Sequence, residues 1–147
     1  MLEDVVHDLS EPDDVIRPRS AHASEIISRT NQEVLLAVMP RLIDLVTRDP
    51  VPIVRWHLAM LFGNIRLAEE AGRVISTLFR LLEDESVFVR ASAIASLCLL
   101  GKRDRRNRAR VIRRIKALQD DRGIAIRTRI RKVLDVLENE SKPVPAG

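Results

Sequence analysis

A single cysteine, Cys98, is all the chain offers for thiol chemistry. One thiol cannot close an intramolecular disulfide, and without a cysteine partner His7, His22 and His57 make no zinc framework. Nothing here calls for an oxidising compartment. Aromatic side chains are scarce too, at 3% of the residues: Trp56, Phe62, Phe79 and Phe88. Glycine is equally rare, with five in the whole chain, and the apolar set is Leu, Ile, Val and Ala, which favours helices over sheets. No apolar run reaches the roughly 20 residues of a membrane span, and Met1-Leu2-Glu3-Asp4 is acidic where a signal peptide would be basic. These absences predict an all-α, soluble, cytoplasmic protein with no membrane contact. An apolar content of 46% over 147 residues is ample for one continuous core.

Catalytic signatures are missing as well. There is no Gly-rich phosphate loop and no Gly-x-Ser-x-Gly elbow, and no carboxylate is placed to orient a histidine as a base or metal ligand. The expectation is a chain that is not an enzyme and carries no cofactor or metal.

What the sequence does contain is a repeat. An acidic residue precedes a β-branched residue and an arginine four times, from Glu11 to Ile16-Arg17, Asp49 to Val54-Arg55, Asp84 to Val89-Arg90, and Asp121 to Ile126-Arg127. Each acid stands six residues before its arginine, and successive arginines are 38, 35 and 37 positions apart. That period marks a helical repeat array. Before each acid runs a helix-spaced apolar series, such as Val74, Ile75, Leu78, Leu81 and Leu82. After it runs a second, such as Ile53, Val54, Leu58, Leu61, Phe62 and Ile65. Two helices per period predict one repeat domain over 1–140, with units at 2–29, 32–67, 70–100 and 105–139, and a disordered tail at 141–147. Thr30 with Glu33 reads as a capping box, Pro52 suits a first helical turn, and Gly101 suits a helix C-terminal cap.

The acid-to-arginine spacing, the apolar residue before the arginine, and the small-then-leucine run Arg90-Ala91-Ser92-Ala93-Ile94-Ala95-Ser96-Leu97 resemble HEAT repeats of the short prokaryotic type. Pro40 resembles the proline that often kinks the first helix of such repeats. The resemblance implies a right-handed α-solenoid of about four helix pairs. It also implies that Asp49, Arg55, Asp84, Arg90, Asp121 and Arg127 are architectural, pairing between neighbouring repeats. On function it is nearly silent, because this superfold serves scaffolds, adaptors, nucleic-acid binders and a few enzymes.

In two-layer arrays the second helix of each pair usually lines an inner, concave face. Counting from each arginine, positions −1, +3, +6, +7 and +10 take the core, and +1, +2, +5 and +8 point away from it. The outward set holds Pro18, Arg19, His22 and Glu25, then Trp56, His57, Met60 and Gly63, then Ala91, Ser92, Ala95 and Cys98, then Thr128, Arg129, Lys132 and Asp135, with Cys98 expected to lie against the next repeat as a small hydrophobe. Trp56 and Met60, one turn apart beside small residues, suit a pocket for a partner's apolar side chain. Arg19, His22, Trp56, His57, Met60, Arg129 and Lys132 are therefore the expected contacts of a protein partner, and His22 and His57 are placed to approach each other.

Charge supplies the alternative. Residues 1–100 carry 10 Arg against 15 acids, for −5. Residues 101–132 carry 14 Lys or Arg against 3 acids, for +11. The remainder carries Lys142 against 3 acids, for −2, which returns the net +4. Arg106, Arg110, Arg113 and Arg114 share one helix face and form a basic stripe suited to phosphate contacts. The leading expectation is a non-catalytic interaction module gripping a protein through its concave face. The alternative is a nucleic-acid-binding module using the basic last repeat.

Overall fold

The computed structural model describes residues 2–121, 123–139 and 143–144, with side chains left aside at 2, 3 and 6. Every regular element among them is helical: α1 (Leu2–His7) with a 3-10 turn at Asp8–Ser10, α2 (Ile16–Ser28), α3 (Glu33–Leu36), α4 (Met39–Arg48), α5 (Pro52–Asn64), α6 (Ala71–Leu81), α7 (Val87–Arg103), α8 (Arg105–Lys116) and α9 (Ile124–Glu138). None of these helices is long and apolar enough to cross a membrane.

The elements fall into two layers. The arginine-bearing helices α2, α5, α7 and α9 lie side by side in chain order and pack on one another extensively, whereas α4, α6 and α8 of the other layer touch one another sparsely. Neighbours that pack tightly in one layer and splay in the other curve the array, with the tight layer inside. One buried core runs between the layers from Leu9 through Met39, Phe62, Ile75 and Leu97 to Leu137. This is the helical-repeat solenoid that the 35–38-residue period predicts.

Several expectations need correcting. The helix expected over 32–47 is interrupted at residues 37–38 and restarts at Met39 with Pro40 in its first turn, where the missing N–H costs no hydrogen bond. Thr30 caps nothing: α3 starts after Gln32, which makes no side-chain cap, and Gln32 instead reaches Asn64 O at 2.7 Å. Gly101 does not end α7, which continues to Arg103. The glycine is buried because a Cβ there would stand 3.1 Å from Leu137 and 3.4 Å from Val111, so it lets α8 and α9 approach. Ile53, placed in the core series, is 46% exposed. Of the tail expected at 141–147, residues 141, 142 and 145–147 lie outside the described residues, and Val144 packs against the core.

The joints between repeats share one local pattern. Arg17, Arg55, Arg90 and Arg127 each donate Nη1 to the backbone oxygen of the acid six residues earlier, Glu11, Asp49, Asp84 and Asp121, at 2.9, 2.8, 2.8 and 2.7 Å. The aspartates each accept the backbone N–H two residues on, at Val51, Ser86 and Gly123, which fixes the turn into the next helix. Arg17 then reaches forward to Asp49 at 2.8 Å, and Arg55 to Asp84 at 2.9 Å. These pairs are nearly buried charge-assisted bonds, and Asp49 is the foremost cause of an Arg17 pKa above its ordinary value. The third joint differs: Arg90 Nε is buried with no hydrogen-bond partner among the described residues.

Candidate functional site

The inner layer presents a short ladder of rings. His22 on α2 stacks on His57 of α5 at 4.7 Å between centroids, His57 stacks on Trp56 at 5.0 Å, and Trp56 stacks on Phe88 of α7 at 5.3 Å. The ladder thus ties three repeats together across the concave face. Offset stacking of this kind adds roughly 0.5–1.5 kcal/mol per pair beyond area burial. Trp56 points its indole N–H at the Met60 sulfur, 3.1 Å away and one turn along the helix, so the donor is used within α5. Trp56, His57 and Met60 are half-buried, His22 is exposed, and Phe88 is 61% exposed.

The position-by-position expectations divide cleanly. Positions +1 and +5 face outward in every repeat, with Trp56, Met60, Ala91 and Ala95 at the centre and Lys132 exposed at the end. Position +8 does so only in the last repeat, where Asp135 is exposed, for Glu25, Gly63 and Cys98 are buried. A residue eight on from the arginine points sideways at the neighbouring inner helix, and those helices pack tightly. Asn64 of α5 donates to Glu25 at 3.1 Å and to Ser28 Oγ at 3.0 Å across that contact. Arg29 neutralises the same Glu25 carboxylate, with Nη2 2.8 Å from Oε2. Gly63 lies so close to α7 that a Cβ would stand 2.6 Å from Ser96 Oγ. Cys98 packs as a small hydrophobe, and burial pushes its thiol up to about 11 against the weaker pull of Lys102. At position +2, Arg19 is exposed, His57 and Arg129 are half-buried, and Ser92 is buried.

Burial, then the neighbouring His22, lowers the His57 pKa, and Glu25 opposes them more weakly. His57 Nδ1 is buried and lacks a hydrogen-bond partner. With Glu25 held by Arg29 and Asn64, no carboxylate orients the imidazole, and the described residues contain no group of three or more metal-ligating side chains.

The basic stripe on α8 is split. Arg110 lies over the Phe79 ring at 5.1 Å and donates to Ser76 Oγ at 2.6 Å, and Arg114 pairs with Glu83 at 2.6 Å, so both reach back to the preceding repeat. Arg106 and Arg113 are exposed, Arg106 standing 3.6 Å from Asp104.

The sequence count missed Phe88 because it began at +1. Phe88 is position −2, and on a helix turning 100° per residue that position lies within about 60° of the point opposite the core. The same position holds Val15, Ile53 and Ala125 in the other repeats, all exposed.

No protein-family model and no curated protein matches the chain. Among solved structures it is similar to an engineered protein (TM-score 0.68, 16% identity, covering 93% of this chain and 62% of that one). A designed armadillo repeat protein gives TM-score 0.67 and 17% identity over 93% of this chain and 64% of that one. The Escherichia coli protein YibA gives 0.62 and 23% over 92% and 46%. The chain thus spans less than two thirds of the length of each. The likeness is one of fold, that of an armadillo-like α-solenoid, a class in which interaction scaffolds are common.

Proposed function

We propose that the chain is a non-catalytic interaction module, of the two-helix HEAT-like kind, that holds a protein partner against its inner face around Trp56 and Met60. One observation carries the reading. The outward positions of the four inner helices present Arg19, Arg129 and Lys132 against a single exposed acid, Asp135, although the chain has 21 acidic residues, and an aromatic and thioether cluster stands at their centre. An apolar centre with a polar, mainly basic rim is the anatomy of a protein-binding patch. Arg19 and His22 at one end, and Arg129 and Lys132 at the other, are the proposed polar contacts. A cytoplasmic location belongs to the same proposal, on the ground that one buried thiol gains nothing from an oxidising compartment.

A nucleic-acid role for the last repeat is less well supported, since Arg110 and Arg114 are engaged with Phe79, Ser76 and Glu83. Affinity purification with and without nuclease, on the natural chain and on Trp56→Ala with Met60→Ala, separates the two readings. The expected result is a protein partner that survives nuclease and is lost in the double variant, at a cost of about 2 kcal/mol or more. Retention of every partner by the variant, or loss of every partner with nuclease, would refute the proposal.

A further inference from the structure

Large apolar residues that remain exposed are not scattered over this molecule. Eight are exposed among the described residues, and six of them, Val15, Ile16, Ile53, Val87, Phe88 and Ile124, stand one to three residues before a repeat arginine. They occupy the first turns of α2, α5, α7 and α9, or the residue just before, and so line up along one rim of the inner layer. Phe88 joins this rim to Trp56 by its ring stack, which makes rim and aromatic centre one surface.

We propose that this rim is the seat of an amphipathic α-helix from a partner protein, laid across the starts of the inner helices with its acidic flank turned into the concave face. This rests on the interaction-module reading above and names the partner's chemistry. Three features select a helix. Adjacent packed helices stand about 8–10 Å apart, so rim residues recur at that interval. Residues seven apart on a helix are about 10.5 Å apart on one face, which keeps step with it. The rim side chains are also hydrocarbon, apart from Asp14 in the first repeat, which pairs with Arg17, and the Trp56 N–H is already given to Met60. An extended segment pressed there would bury backbone N–H and C=O groups without partners, whereas a helix satisfies its own. Charge then sets the orientation. Arg19, Arg129 and Lys132 lie on the concave side against one exposed acid at the outward positions, Asp135. The partner's inner flank is therefore acidic.

The test is selection from two displayed libraries of 21-residue peptides. One fixes leucine or isoleucine at a seven-residue period and randomises the rest, and the other is identical but carries a central proline that blocks a helix. The expected result is binders from the helical library only, enriched in Asp and Glu on one flank and weakened at least tenfold by Ile53→Asp and by Phe88→Asp. Ile26→Asp, an exposed apolar position off the rim, leaves binding unchanged. Because all three side chains are exposed, circular dichroism should report folded variants. The proposal is overturned by an absence of helical binders, by binders from the proline library, by basic enrichment on the inner flank, or by binding indifferent to the rim substitutions. It is also overturned if the chain self-associates and Phe88→Asp abolishes this, since the rim would then serve a second copy. A partner that needs Trp56 and Met60 but not Ile53 or Phe88 would leave the interaction-module reading standing and remove this one.

Discussion

His57 is held between two rings, with burial and a neighbouring imidazole both disfavouring its charged form. Its folded pKa therefore lies below the ordinary 6.5. As pH falls through 6.5 the unfolded chain takes the proton first, so the contribution of neutral His57 is full above that value. It is lost progressively as pH falls toward the lower folded value. An NMR titration should place the His57 midpoint below 6.5, and His22→Ala should move it upward by removing the second-largest cause. A midpoint that ignores His22→Ala would show that the contact does not set the titration. The approach of His22 and His57 was legible in the sequence, because helical counting put them at +5 and +2 of adjacent repeats. Phe88 was not, because the count ran forward from the arginine and the first turn lies behind it.

At the scale of helices, two glycines with the same composition-level meaning have opposite roles. A Cβ at Gly72, near the start of α6, would meet nothing within 4 Å, whereas at Gly63 in α5 it would stand 2.6 Å from Ser96 Oγ and 2.9 Å from Ser96 Cα. Gly72→Ala should raise stability by about 0.4–1 kcal/mol, through helix propensity and a less flexible unfolded chain. Gly63→Ala should lower it by about 1–3 kcal/mol, since α7 backbone would have to move. Chemical denaturation of the two variants beside the natural chain checks both signs. A residue's place along a helix, such as that of Gly72 early in α6, follows from local period and caps. Sequence reading anticipated Cys98 as a small hydrophobe against the next repeat but not the burial of Gly63 and Glu25, because the closeness of neighbouring helices is set by side chains far apart in sequence. The interruption before Pro40 was suggested only by the resemblance to the kinking proline of HEAT repeats, and its local cause is that a proline restricts the residue before it and suits a first turn.

Across the whole molecule, stability in a repeat array is approximately a sum over repeats and the interfaces between them, so an uneven set of joints means uneven opening. Two joints carry a nearly buried Arg–Asp pair, Arg17 with Asp49 and Arg55 with Asp84, while at the third Arg90 Nε is buried and unpartnered. An unsatisfied buried donor costs about 1–3 kcal/mol, more when charged. Packing points the same way, for α7 meets α9 over a smaller surface than it meets α5. The last repeat is held instead by contacts nearer the surface: Arg110 over Phe79, Arg114 to an exposed Glu83, and Lys102 Nζ to Val136 O at 3.3 Å. Exposed ion pairs of that kind contribute about 0–1 kcal/mol and are screened by salt. Native-state hydrogen exchange should therefore find α9 opening at a lower free energy than α5 and α7, with the gap widening as salt is raised. Uniform opening across the three helices would show that the third joint is as strong as the others. The proposed partner surface extends over the same weak joint, from Phe88 on α7 to Lys132 on α9. A ligand that bridges the two should protect α9 amides more than those of α5, because binding stabilises most where opening was cheapest.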